Sequence, residues 1–144
     1  MSSELRSLEV SYFVQATEDE EKIGRGVRGI VGAEARGERE EVEGHFGNKI
    51  VWQRFHLVGD EASAAFDRLL SKMDQASRSA LLGEIGTAID EHGALFIRLS
   101  KQLITRGVAA VTTSDPVRMK VKPRKPPKSD PTEFYRRLIE EARA

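Results

Sequence analysis

The sequence predicts an α+β fold: a largely antiparallel or mixed sheet with helices packed on one of its faces. Three observations carry that expectation. Segments of alternating apolar and polar residues lie at both ends of the chain, a pair of segments with helical spacing separates them, and turn-forming residues punctuate the boundaries. At 144 residues with 39% hydrophobic content the chain has the length and composition of one domain. Residues 1–122 are expected to form it, with 123–130 a linker and 131–144 a terminal helix.

"LEVSYFVQA" opens the pattern, with Val10, Tyr12 and Val14 on one face of a strand and Ser11, Phe13 and Gln15 on the other. "TEDEEK" then suits a helix start, with Thr17 as cap, Glu20 reaching back and an acidic first turn against the dipole. The helix should run from about Glu18 to Val31. Gly24, Gly26 and Gly29 interrupt it at about 1 kcal/mol each relative to alanine, so either another backbone approaches closely or the helix breaks near Gly32. These glycines spell G-x-G-x-x-G. They lie well past the strand and behind four acids, Glu18 to Glu21, where a pyrophosphate would be repelled, so no dinucleotide site is expected.

Residues 37–43 and 49–58 read as two strands joined across "GHFGN", where Gly47 and Asn48 tolerate positive φ. "GDEASAAFDRLLSKM" is a helix with Asp60 as cap and an inward stripe of Ala62, Ala65, Phe66, Leu69, Leu70 and Met73. "DQASRSALLGEIGTAIDEHG" reads as a second helix stopped by Gly93, with His92 near its C-terminus. "LFIRLS", "VAAVT" and "VRMKVK" alternate as strands, with "TSDP" turning between the last two. "PRKPPKSDP" is a basic, proline-rich linker. In the final helix Asp130 caps, Pro131 takes the first position, and Phe134, Leu138, Ile139 and Ala142 form a stripe.

Charge separates along the chain although the net charge is zero. Residues 1–47 carry net −5, residues 48–94 net −2, and residues 95–128 net +8. A polyanion is the economical partner for that last segment. Strand parity sharpens the expectation. If Val51, Phe55 and Leu57 face the helices, Trp52, Arg54 and His56 share the other face, joined by Phe96, Arg98, Arg118, Lys120 and Lys122 from the later strands. Aromatic rings stack on bases while cations hold phosphates, the combination that binds single-stranded nucleic acid without a sequence code. The competing arrangement is equally open: Trp52 and Phe96 lie covered by the C-terminal helix.

Catalysis finds little support. The three histidines, His45, His56 and His92, have no ligand spacing, and neither G-x-S-x-G nor a Walker string occurs. No cysteine is present. No enzyme, metal or cofactor is expected. The N-terminus lacks signal-peptide features and no apolar run is long enough to span a bilayer, so a cytoplasmic protein without membrane partners is expected.

"VQATEDEEKI", "EGHFGNKI", and "LFIRLSKQ" followed by "VRMKVK" resemble the archaeal RNA-binding proteins whose genes commonly lie among those of the RNA exosome. The resemblance spans about Leu5 to Lys122. It implies a fold similar to large-subunit ribosomal protein five and RNA as partner, with exosome or ribosome-related proteins as further partners. By position it carries over Gly44, His45, Gly47 and Asn48 of the turn, and Lys101 and Gln102. Lys49 replaces the proline of the family pattern and adds positive charge. The candidate RNA contacts are therefore His45, Asn48 and Lys49 in the turn, Trp52 and Arg54 in the strand after it, and Arg98, Lys101, Gln102, Arg106, Arg118, Lys120, Lys122, Arg124 and Lys125 from the basic segment. The expected role is that of an accessory protein in RNA processing or turnover. The alternative is an adaptor docking on a processing complex without touching RNA.

Overall fold

The computed structural model describes residues 4–124 and 131–141. Five antiparallel strands form one sheet: β1 (Leu5–Val14), β2 (Gly37–Glu43), β3 (Lys49–Val58), β4 (Leu95–Leu99) and β5 (Val117–Pro123), in the order β2-β3-β1-β5-β4. β1 is central because its alternation supplies a fully apolar row, Leu8, Val10, Tyr12 and Val14, all buried. Val51, Phe55 and Leu57 of β3, Leu95, Ile97 and Leu99 of β4, and Val117, Met119 and Val121 of β5 are buried on that same side.

Helices α1 (Glu20–Val31) and α2 (Gly59–Lys72) supply the covering layer. Ile23, Val27, Ile30 and Val31 recur at helical spacing on α1, as do Ala62, Ala65, Phe66, Leu69 and Leu70 on α2. α1 stays helical through its glycines and ends at Val31, with Gly32 as the C-cap. Gly26 lies against the backbone of α4 (Lys101–Ile104): a Cβ there would sit 2.7 Å from the Ile104 carbonyl carbon and closer still to its oxygen. Of the two fates open to that segment, close backbone approach is the one adopted.

The structure departs from the sequence reading at several boundaries. Asp19, not Thr17, caps α1, accepting from Lys22 N–H, while Glu18 accepts from Gln15 N–H. Asp60 lies inside the first turn of α2, whose start carries no side-chain cap. The long helix expected over residues 74–93 is three pieces. α3 (Gln75–Gly83) is capped by Asp74, a 3-10 turn covers Ile85–Thr87, and Ile89 bridges Leu95. Gly83 and Gly86 weaken the helix, and the Asp90 carboxylate accepts from His92 and Ala94 N–H, a local turn that competes with it. His92 and Gly93 belong to that turn and end no helix. "VAAVT" is not a strand: Ser100 caps the short α4 before it, and Ala109 and Val111 make only isolated bridges to Met73 and Leu99.

α5 (Pro131–Glu141) packs beside α3 and the 3-10 turn, within the helical layer. Tyr135, absent from the expected stripe, is its main anchor. It is fully buried, with its hydroxyl 2.6 Å from the Gly93 carbonyl and 3.1 Å from that of Val121. Burial pushes its ionisation well above the usual tyrosine range. Asp130 and Ala142 lie outside the described residues.

Candidate nucleic-acid interface

Among the described residues every helix lies on one side of the sheet, and the other face is open. Register fixes which side chains are neighbours there, because directly paired residues of antiparallel strands point the same way. One row crosses all five strands: Glu38, Arg54, Ser11, Arg118 and Arg98. The next reads His56, Glu9, Lys120 and Phe96, and on the other side of the first row Glu40, Trp52 and Phe13 follow one another. Lys122 faces Ser7 beyond Lys120.

The face is electrically polarised. Its β2 border is acidic, with Glu38 and Glu40, and its β5 and β4 half is basic. Arg54 belongs to the acidic side, bonded to Glu38 at 2.7 Å and lying 5.0 Å over the Trp52 ring. Arg98 and Arg118 face one another directly, and neither side chain has a hydrogen-bond or ion-pair partner among the described residues. Lys120 lies 5.5 Å over Phe96. At the start of β1 a bulge between Leu5 and Ser7 turns Arg6 outward, and it lines a depression of about 210 Å³ together with Lys120, Lys122, Arg124, His92 and Asp90.

Phe96 and Phe13 are 37% and 43% exposed. Phe13 stacks on half-buried Trp52 with ring centroids 6.4 Å apart. α5 does not cover these rings, which decides between the two arrangements the sequence left open. Phe13 was legible from parity, since it alternates with Tyr12 and Val14. Arg6 was not, because a bulge breaks the parity rule.

Other expected contacts lie elsewhere. His45 is exposed at the β2–β3 turn and meets Phe46, not Trp52, edge-on at 4.9 Å. Asn48 folds back over Gly44, whose N–H bonds the Asn48 carbonyl, so its side chain packs within the turn. Lys49 pairs with Glu41 at 2.9 Å. Gln102 is exposed on α4. Arg106 lines a groove on the helical side with Lys22, Arg25 and Lys72, beside Gly26 and Gly29. Lys125 lies outside the described residues.

Lys101 requires a correction. It is 5% exposed, and its ammonium bonds the Phe13 carbonyl, Glu18 at 2.9 Å and Asp115 at 2.7 Å. Asp115 holds a left-handed backbone, φ 39°, while accepting that bond. All three donors are used, so Lys101 ties β1, the start of α1 and the β5 approach together instead of facing RNA.

A family model described as RNA binding matches residues 7–123. The chain belongs to that RNA-binding family. The matched span holds the whole open face except Arg6 and Arg124. Solved structures agree on the fold. A DUF54 protein from Methanothermobacter thermautotrophicus is 29% identical, with TM-score 0.77 and coverage of 94% of this chain and 98% of that one. A DUF54 protein from Archaeoglobus fulgidus is 27% identical, with TM-score 0.75 and coverage of 93% and 99%. One from Sulfolobus solfataricus, 22% identical with TM-score 0.74 over 93% and 97%, shares the fold. No curated protein matches. Among the described residues no helix is long and apolar enough to cross a membrane, and no group of three or more His, Cys, Asp or Glu side chains could hold a metal ion.

Proposed function

We propose that this member of the RNA-binding family is a non-catalytic accessory protein of RNA processing or exosome-linked turnover. It holds RNA phosphates along the β5 and β4 half of its open sheet face and stacks bases on Phe96 and the Phe13–Trp52 pair. The link to a particular process follows the family resemblance. The observation that carries the binding mode is the Arg98–Arg118 pair. Like charges directly opposite one another on a sheet are destabilising, and a bound polyanion is the partner that would relieve them.

Arg98→Gln with Arg118→Gln should therefore separate binding from stability. Each lost phosphate contact lowers the slope of log affinity against log salt by roughly 0.7 for single strands, so the pair should flatten it by about 1.4. Urea unfolding should show unchanged or slightly greater stability, by a few tenths of a kcal/mol. An unaltered slope would move the RNA off this face.

Stacking is tested separately. Phe13→Ser should weaken RNA binding by the roughly 1 to 3 kcal/mol of a base-stacking platform while costing about 1 kcal/mol or less in stability, since the ring is already half in water. Loss of stability without loss of affinity would make the ring a packing element.

The adaptor reading draws on one observation, Phe46, which is 90% exposed at the hairpin tip. Phe46→Ser abolishing capture of a protein partner, with RNA affinity absent in the unmodified chain, would favour it.

A further inference from the structure

The outer edge of β4 is closed at both ends and open in the middle. Near its start Phe96 N–H donates to the Ala88 carbonyl at 2.8 Å, and near its finish the Arg98 carbonyl accepts from Thr112 N–H at 3.0 Å. Leu95 bridges Ile89 and Leu99 bridges Val111 at the same two places. The N–H and C=O of one strand residue leave by the same edge, so the Phe96 carbonyl and the Arg98 N–H also point outward. Neither has a protein partner among the described residues. Beside them lies a cleft of about 250 Å³, walled by Ala80, Leu81, Ala88, Ile89, Val111 and Thr112.

The opening is one acceptor and one donor long, too short to take an added peptide strand, which needs a row of such groups. Phosphate is a poor occupant, because Glu84 and Asp90 line the same cleft. Hydrogen bonds from the Ala94 and His92 amides hold the Asp90 carboxyl below the usual range, so it stays ionised. A flat ring with an apolar face and an adjacent donor and acceptor on one edge suits every wall. The Watson–Crick edge of a nucleobase has that form.

We propose that this cleft takes one unpaired nucleobase of the bound RNA, with its Watson–Crick edge hydrogen-bonded to the Phe96 carbonyl and the Arg98 N–H. The inference rests on the RNA reading above and adds to it. Arg98 would serve one strand twice, its guanidinium on the open face toward phosphate and its backbone at the base. Pairing hides the Watson–Crick edge, so single-stranded RNA should be preferred over duplex.

The test follows backbone amides of the uniformly 15N-labelled full chain by NMR. A single-stranded oligoribonucleotide should shift the Arg98 amide and protect it from exchange, together with amides of the open face. The same sequence annealed to its complement should shift the open-face amides only. Ala80→Trp, at an exposed position of α3 that lines the cleft, should abolish the Arg98 response, lower the single-strand preference about tenfold and leave the salt slope unchanged. Open-face amides that respond to single strands while Arg98 does not would overturn the base site and leave the sheet-face reading intact. Silence of both would overturn both. A response of Arg98 alone, to adenosine or guanosine monophosphate and not to the oligonucleotide, would overturn the assignment to RNA.

Discussion

Gly26→Ala should cost the protein at least about 3 kcal/mol, a large fraction of the roughly 5 to 15 kcal/mol that holds a typical domain folded. The added methyl would meet backbone, the carbonyl of Ile104, and no flexible side chain can turn aside there. Relief requires α1 to move off α4, and α1 cannot move without opening the contacts of Ile23, Val27 and Ile30 in the core. The same substitution two residues earlier or three later should do the opposite. A Cβ at Gly24 would meet only the Tyr12 hydroxyl at 4.0 Å, and one at Gly29 only the Lys72 side chain at 3.5 Å. With ordinary contacts and helical backbone, Gly24→Ala and Gly29→Ala should each stabilise by roughly 0.5 to 1 kcal/mol. Urea midpoints of the three variants check this, and equal shifts at all three positions would show that α1 and α4 are not in backbone contact.

Lys101→Met should be the second large effect, a loss of about 2 to 4 kcal/mol with the RNA salt slope unchanged in the folded protein. The methionine keeps the apolar stem and deletes the ammonium, leaving the Phe13 carbonyl and two carboxylates without their shared donor. The full penalty of a broken buried pair is tempered because Glu18 is 28% exposed and Asp115 50%, so both acids regain water. Denaturant unfolding and a salt titration of RNA affinity together decide the role of this residue. Intact stability with a slope reduced by roughly 0.7 would restore Lys101 to the RNA surface.

These two residues mark where the sequence stopped being legible. Parity along a strand is a local property, written every second residue, so the inward rows of β1, β3, β4 and β5 and the outward set of Phe13, Trp52, Arg54, Phe96, Arg98, Arg118, Lys120 and Lys122 could be read from the chain alone. The inward stripe of α2 was legible for the same reason, at the helical period. Where local signals competed, the reading failed. Gly83, Gly86 and the Asp90 turn outweighed the helical spacing of Leu81, Leu82, Ile85 and Ala88, and "VAAVT" alternated without gaining a strand partner along its length.

What lies beside what across the sheet, and which lysine is inside, needed the tertiary structure. Arg98 faces Arg118 because residues twenty apart share a register, and Lys101 is buried because Glu18 and Asp115 reach it from 83 and 14 residues away. The sequence thus determined the layers and the chemistry of each face. Only packing decided whether α5 would cover the aromatic rings, which cations would meet an acid and which would be left facing each other, because side-chain direction is set by local backbone geometry and charge pairing by distances through the fold.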